Sequence, residues 1–170
     1  GTLNLQSSGK TRTYGVWAQD AWRFLPAFTL TLGGRYEWWK AYDGILSQAA
    51  APAQPELSAN RFSPKASLAW DAADRWTVRL SYGRAWRFPT VGELYQVMTS
   101  TNPPSIPNSG LRPERADSGE LAIERHDAQG ILRLSLFDEV VADALVSQIG
   151  LWPGLGGVTG IFGQNVDRSQ

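Results

Sequence analysis

Several residues of this chain carry side chains capable of chemistry, and their spacing limits what each can do. His126, the one histidine, lies between Arg125 and Asp127 beside a short polar turn. A catalytic or metal-bound imidazole needs convergent partners, and the spacing supplies none, so it reads as a solvated turn residue. Asp138 and Glu139, with Asp143 nearby, could form a cation site or an acid–base pair only if they faced the same way. Neighbours on a strand point to opposite faces. Ser118 and Ser135 are within a meander's reach of His126, but no nucleophile motif surrounds either. The glycine-rich stretch 150–163 has neither the Gly-Lys-Ser/Thr ending nor the following helix of a phosphate loop. What remains is binding chemistry. Arg84, Arg87 and Arg112 lie close to an irregular segment and are the weak candidates for touching an anionic ligand. The run Arg87-Phe88-Pro89-Thr90, followed by Glu93-Leu94-Tyr95, is the most specific signal in the sequence.

The elements that must hold these residues are strands. Along 61–71, Phe62, Pro64, Ala66, Leu68 and Trp70 fall on one face, and Ser63, Lys65, Ser67 and Asp71 on the other. After a polar turn at 72–75, Trp76, Val78, Leu80 and Tyr82 resume the apolar face against Thr77, Arg79, Ser81 and Gly83. A period of two with a short turn predicts an antiparallel hairpin. The same alternation is cleanest at 28–38, where Phe28, Leu30, Leu32, Gly34, Tyr36 and Trp38 oppose Thr29, Thr31, Gly33, Arg35 and Glu37. It is present at 13–24, with Trp17 on the polar side and Asp20 on the apolar side, and at 115–126. From Ile131 to about Val146 it slips past Phe137 through Asp138 and Glu139, which predicts either a bulge or the climb out of an apolar layer. Residues 43–60, 89–113 and 150–163 keep no period and read as long loops. A further strand could begin in 164–170. The expected class is all-β, an antiparallel up-and-down meander of about seven strands.

Composition narrows the function. Sixteen basic and sixteen acidic residues give a formal net charge of zero, so no basic field draws nucleic acid. Cysteine is absent, which leaves no disulfide framework and no thiolate metal site. No run of about 18 apolar residues exists, which excludes a membrane-spanning helix and leaves barrel strands open, since these dilute their hydropathy with inward polar residues. Eight Trp, six Phe and five Tyr in 170 residues favour an interface where an apolar ring body and a polar tip are both accommodated. Trp70 and Trp76 bracket one end of the hairpin and Tyr82, Trp86 and Phe88 the other. That spacing fits a strand crossing an apolar band about 25 Å tall between two aromatic girdles. Short turns also alternate with long loops, the asymmetry of an outer-membrane barrel.

The hairpin, the stretch Arg87, Phe88, Pro89, Thr90, Glu93, Leu94, Tyr95 and the later stretch Leu111, Arg112, Pro113, Glu114, Glu120 together resemble the barrel of a TonB-dependent outer-membrane receptor. Leu32 to Tyr36 and the Tyr14-Gly15, Gln19-Asp20 and Trp22 pattern are similar to the same family. The resemblance runs over most of the chain. It implies a partial transmembrane β-barrel, residues 1–170, in a wall that closes with about 22 strands. It also implies that the plug domain and a terminal aromatic strand are missing from this piece. The implied function is active import of a scarce bulky solute across a Gram-negative outer membrane, with a ferric siderophore as the first expectation and cobalamin, haem, copper or glycans as others. TonB would act through the plug. The implied partners are outer-membrane lipid, TonB and the solute, with no nucleic acid, cofactor, metal centre or catalytic residue. The family stretch need not touch ligand and can brace the loop where the strand leaves the bilayer. Arg35, Glu37, Lys65, Arg79, Arg125 and Arg133 are expected on the inward wall, as a ladder of cross-strand charges or as contacts to a plug or ligand. Two other readings stand beside this one: a soluble all-β binding domain whose aromatic face is its core, and a small outer-membrane barrel enzyme with a converging Ser–His pair.

Overall fold

A computed structural model describes residues 6–47, 54–98, 102–152 and 158–169. The long elements are β1 (Gln6–Leu25), β2 (Phe28–Ser47), β3 (Leu57–Ala73), β4 (Trp76–Arg87), β6 (Glu114–Asp127), β7 (Gly130–Trp152) and β8 (Val158–Ser169). Between β4 and β6 lie a one-turn helix α1 (Val91–Tyr95) and a two-residue strand β5 (Ser105–Ile106). The seven long strands form one antiparallel meander in chain order, and β5 joins its far edge parallel to β8. Among the described residues β1 and β8 do not pair, so the sheet is open.

Register follows the alternation. One outward row runs Trp22–Leu30–Leu68–Leu80–Leu121–Leu136 across six strands, and the inward row beside it contains Thr31, Ser67, Ser81 and Glu120. The outward leucines do not pack into a globule: Leu32, Leu80, Leu132, Leu134 and Leu136 are all more than half exposed. Rings edge this band at both ends. Trp22, Phe24, Phe28 and Trp70 form a chain with centroids 5.5–5.9 Å apart at the end of the short turns. Tyr14, Tyr36, Trp38, Phe62, Tyr82 and Trp86 occupy outward positions of the register at the other end. From Phe28 to Tyr36 is about 20 Å along a barrel axis at a strand tilt near 40°.

The structure corrects several sequence expectations. Turns shrink to Pro26-Ala27, Asp74-Arg75 and Ala128-Gln129. Strands run on into two expected loops: β2 reaches Ser47 and β3 starts at Leu57, while β7 reaches Trp152 and β8 starts at Val158. The remainders, 48–53 and 153–157, lie outside the described residues. A 20-residue strand such as β2 rises about 50 Å along a tilted barrel axis, roughly twice the apolar band, so the strands stand well beyond it at the long-loop end. Of the two readings of the slip past Phe137 the bulge is contradicted, since pairing of β7 with β6 runs unbroken from Gly130 to Ala142. The irregularity comes later, at Asp143, which takes φ 54°. Phe137 is inward and 82% exposed. Arg125, expected inward, faces outward opposite Leu132, its guanidinium 5.5 Å from the Trp76 ring.

The ladder between β3 and β4 stops at Lys65 opposite Gly83. Pro64, the next residue, has no N–H to offer. Trp86 spans the resulting gap: its indole Nε1 donates to the Phe62 carbonyl at 3.0 Å, and the Arg61 guanidinium sits 4.8 Å from its ring.

Candidate functional site

The segment 89–113, expected to be a long loop, forms in its described residues 89–98 and 102–113 a strap across the inner face of the sheet. Its first anchor is built from the sequence Thr90-Val91-Gly92-Glu93. Thr90 caps α1, accepting from the Glu93 N–H, and the Glu93 carboxylate reaches back to the Thr90 N–H at 2.8 Å, closing a capping box. The same carboxylate accepts from the Thr90 hydroxyl at 2.9 Å and from Arg87 at 2.6 Å. Burial works to raise the Glu93 carboxyl, but the Thr90 and Arg87 donors outweigh it and hold the group below its ordinary value. The turn is therefore tied to the end of β4 by charge-assisted bonds.

The second anchor is apolar. At its far end the polar face turns hydrophobic: Trp39 and Ala41 on β2 are buried together with Leu94, Tyr95 and Leu111 of the strap, and Leu57, Ala59, Phe88, Val91 and Leu145 pack around them. Phe88 stacks on Trp39 with centroids 5.5 Å apart and planes 11° from parallel. Full burial of Leu94 and Tyr95 contributes roughly 1.5–3 kcal/mol for each side chain. The Tyr95 ring lies directly on Gly9 of β1 and Gly44 of β2, where a Cβ at Gly44 would stand 2.7 Å from the ring. Its hydroxyl donates to the Pro55 carbonyl at 2.8 Å. At the opposite edge Ile106 lies on Gly160 and Leu111 on Gly163, and the Asn108 amide donates to the Gly163 carbonyl at 2.9 Å. The strap thus reaches from β1 to β8.

The second family stretch finishes the brace. Arg112 pairs with Asp143 at 2.5 Å, its backbone N–H donates to Asn165 Oδ1, and Asn165 Nδ2 donates to the Arg112 and Asp143 carbonyls. Pro113 is buried beside it. The Glu114 carboxylate accepts from the Leu145 N–H at 2.6 Å. Arg87, Pro89, Glu93, Leu94, Tyr95, Leu111, Pro113 and Glu114 therefore all sit within or at the ends of one braced unit. Arg84 does not join it. It faces outward, where Asp117 accepts from Arg84 Nε and from the Tyr82 hydroxyl, both at 2.7 Å, and pairs with Arg115 at 2.9 Å. Each of the three candidate arginines already has a carboxylate partner.

Below the strap the inner wall is a polar groove of about 580 Å³ lined by Lys65, Arg79, Ser81, Glu120, Phe137 and Glu139, among others. Arg133 bridges Glu120 at 2.8 Å and Glu124 at 3.0 Å, and Arg35 pairs with Glu37 at 2.8 Å. The Arg133 bridges are cross-strand charge pairs between β7 and β6, whereas the Arg35–Glu37 pair runs along β2. His126 is 3.4 Å from Glu124 at the turn, and Ser135 takes a bond from Arg133 rather than facing it. Asp138 and Glu139 fall opposite Gly119 and Ser118, on different faces. Among the described residues no group of three or more His, Cys, Asp or Glu is placed to hold a metal ion. The sequence reading missed the strap, although Thr-x-x-Glu ahead of Leu-Tyr is a helix-start signal.

Residues 1–169 match the family model described as TonB dependent receptor-like, beta-barrel. The chain is 30% identical over 95 residues to the hemoglobin and hemoglobin-haptoglobin-binding protein of Haemophilus ducreyi, covering 56% of this chain and 10% of that protein. It superposes on the Serratia marcescens hemophore receptor HasR, solved with its hemophore HasA and heme, with a TM-score of 0.78 at 14% identity, over 95% of this chain and 30% of that one. It superposes on the copper transporter OprC with a TM-score of 0.74 at 19% identity, over 95% of this chain and 25% of that one. The chain thus spans a tenth to a third of the length of these proteins.

Proposed function

Because this chain belongs to the TonB-dependent receptor β-barrel family, a family of outer-membrane transport receptors rather than enzymes, we propose that it forms part of the wall of a larger barrel that imports a scarce iron-bearing solute. The observation that carries the reading is the division of one sheet into two media. The outward face presents an apolar band between rings, and the inward face presents ion pairs and a braced strap. The solute binds at the long-loop end, a plug domain supplied by the same polypeptide fills the polar groove, and TonB draws on that plug to open the path. The wall contributes no covalent chemistry. Its strap keeps the mouth of the lumen shaped while the plug moves.

A ferric siderophore is the first cargo, on the family resemblance of the strap motifs. Haem iron taken from a host protein is the second, favoured by the hemoglobin-binding relative at 30% identity. Cells lacking the receptor, starved of iron and complemented with the intact gene, should regain growth on one of these sources supplied alone. Growth on the siderophore alone supports the first cargo, and growth on haemoglobin alone replaces it with the second. Rescue by neither refutes iron import.

A further inference from the structure

The outward rim of β1 and β2 carries a feature that import does not use. Beyond the aromatic ring formed by Tyr14 and Trp38, which face each other across the two strands, the next outward pair is Arg12 opposite Lys40, and the pair after that is Lys10 opposite Tyr42. Like charges directly opposite on one face of an antiparallel pair destabilise it, and a rule broken in a regular stretch of sheet points to something outside the sheet. The three cations converge on one ring: Lys10 Nζ, the Arg12 guanidinium and Lys40 Nζ lie 5.9, 5.9 and 5.7 Å from the centroid of Tyr42. Lys10 pairs with Asp43 at 2.9 Å and Lys40 with Glu56 at 2.7 Å. Arg12 has no carboxylate partner among the described residues, so three positive charges meet two negative ones.

Height decides what the excess charge meets. Arg12 and Lys40 stand two residues beyond the ring and Lys10 four, roughly 5–10 Å above it along the barrel axis. Aromatic belts sit at headgroup level. The cations therefore lie among or just above the headgroups of the long-loop leaflet, on the side of the wall away from the strap and the solute path. We propose that Lys10, Arg12 and Lys40 bind the phosphate groups of the phosphorylated lipid in that leaflet. Among the described side chains the other outward basic residues are each paired: Arg84 and Arg115 both with Asp117, with Asp138 at the next outward position below, and Arg125 with Asp127 at 2.8 Å at the opposite end. The inference rests on the orientation of the wall in the membrane and not on the cargo.

The intact receptor, purified in mild detergent and kept folded as judged by its heat-dependent gel mobility, can be exposed to vesicles of phosphatidylcholine with or without diphosphoryl lipid A. Bound lipid is then counted by native mass spectrometry. The doubly substituted Arg12→Gln, Lys40→Gln receptor should retain roughly 30-fold less lipid A, as loss of two basic residues near an anionic surface implies. The lumen-facing Lys65→Gln variant should retain as much as the parent, and Arg12→Lys in the parent should keep most of it. Equal retention by the double variant, or an equal fall with Lys65→Gln, overturns the proposal. So does binding that millimolar inorganic phosphate alone abolishes in every variant, since free phosphate would then be the ligand.

Discussion

Glu93 holds three partners at once, the Arg87 guanidinium, the Thr90 N–H and the Thr90 hydroxyl, and its charge state therefore sets the integrity of the strap. Its folded-state ionisation lies below its ordinary value of 4.5, so the carboxylate's contribution is fully present above that value. It is lost as pH falls through the lower, folded one. Hydrogen exchange of 88–98 in the intact receptor should be slow and flat from pH 7 to 5, once corrected for intrinsic rate, and should accelerate at more acid pH. Glu93→Gln should cost the strap about 1–2 kcal/mol of local stability and remove this acid dependence. Gly44 makes the second residue-scale case. With Tyr95 seated on it, Gly44→Val should expel the ring and expose 88–113 to protease, while Tyr95→Phe, which loses only the bond to Pro55, should cost about 1 kcal/mol.

At the scale of elements, each long strand has one face against polar contents and one against hydrocarbon, and a single charge tests which is which. Lys in place of Leu80 or Leu134, both outward and near the middle of the band, should destabilise the inserted barrel by about 2–4 kcal/mol in a bilayer unfolding titration. Ser81→Lys, one residue away and inward, should cost much less. The strands were legible because a period of two is a local property: Leu30, Leu32, Tyr36 and Trp38 announce their common face without reference to any other part of the chain. The strap was not, because what orders it is distant in sequence. Tyr95 needs Gly9 and Gly44, Leu111 needs Gly163, and the Val97 N–H donates to Ser7 Oγ across the sheet. One turn of helix is also too short to show a 3.6-residue period. The upper arms of β2 and β3 were hidden for the same reason. Their Ala- and Ser-rich composition resembles a loop, and their inward residues Ala41, Leu57 and Ala59 become a face only when the strap covers them.

At the scale of the whole molecule, the central claim is that two media bathe the two faces of one sheet. A chain without cysteine allows that claim to be read residue by residue. Single cysteines placed in turn at 29–36 of β2 in the intact receptor, spin-labelled in its membrane, report their collisions with dissolved oxygen and with a water-soluble nickel chelate. Oxygen accessibility should peak at 30, 32, 34 and 36 and nickel accessibility at 29, 31, 33 and 35, out of phase with a period of two along the whole run. Profiles rising and falling together, or an outward series more accessible to nickel than to oxygen, would contradict a lipid-facing wall.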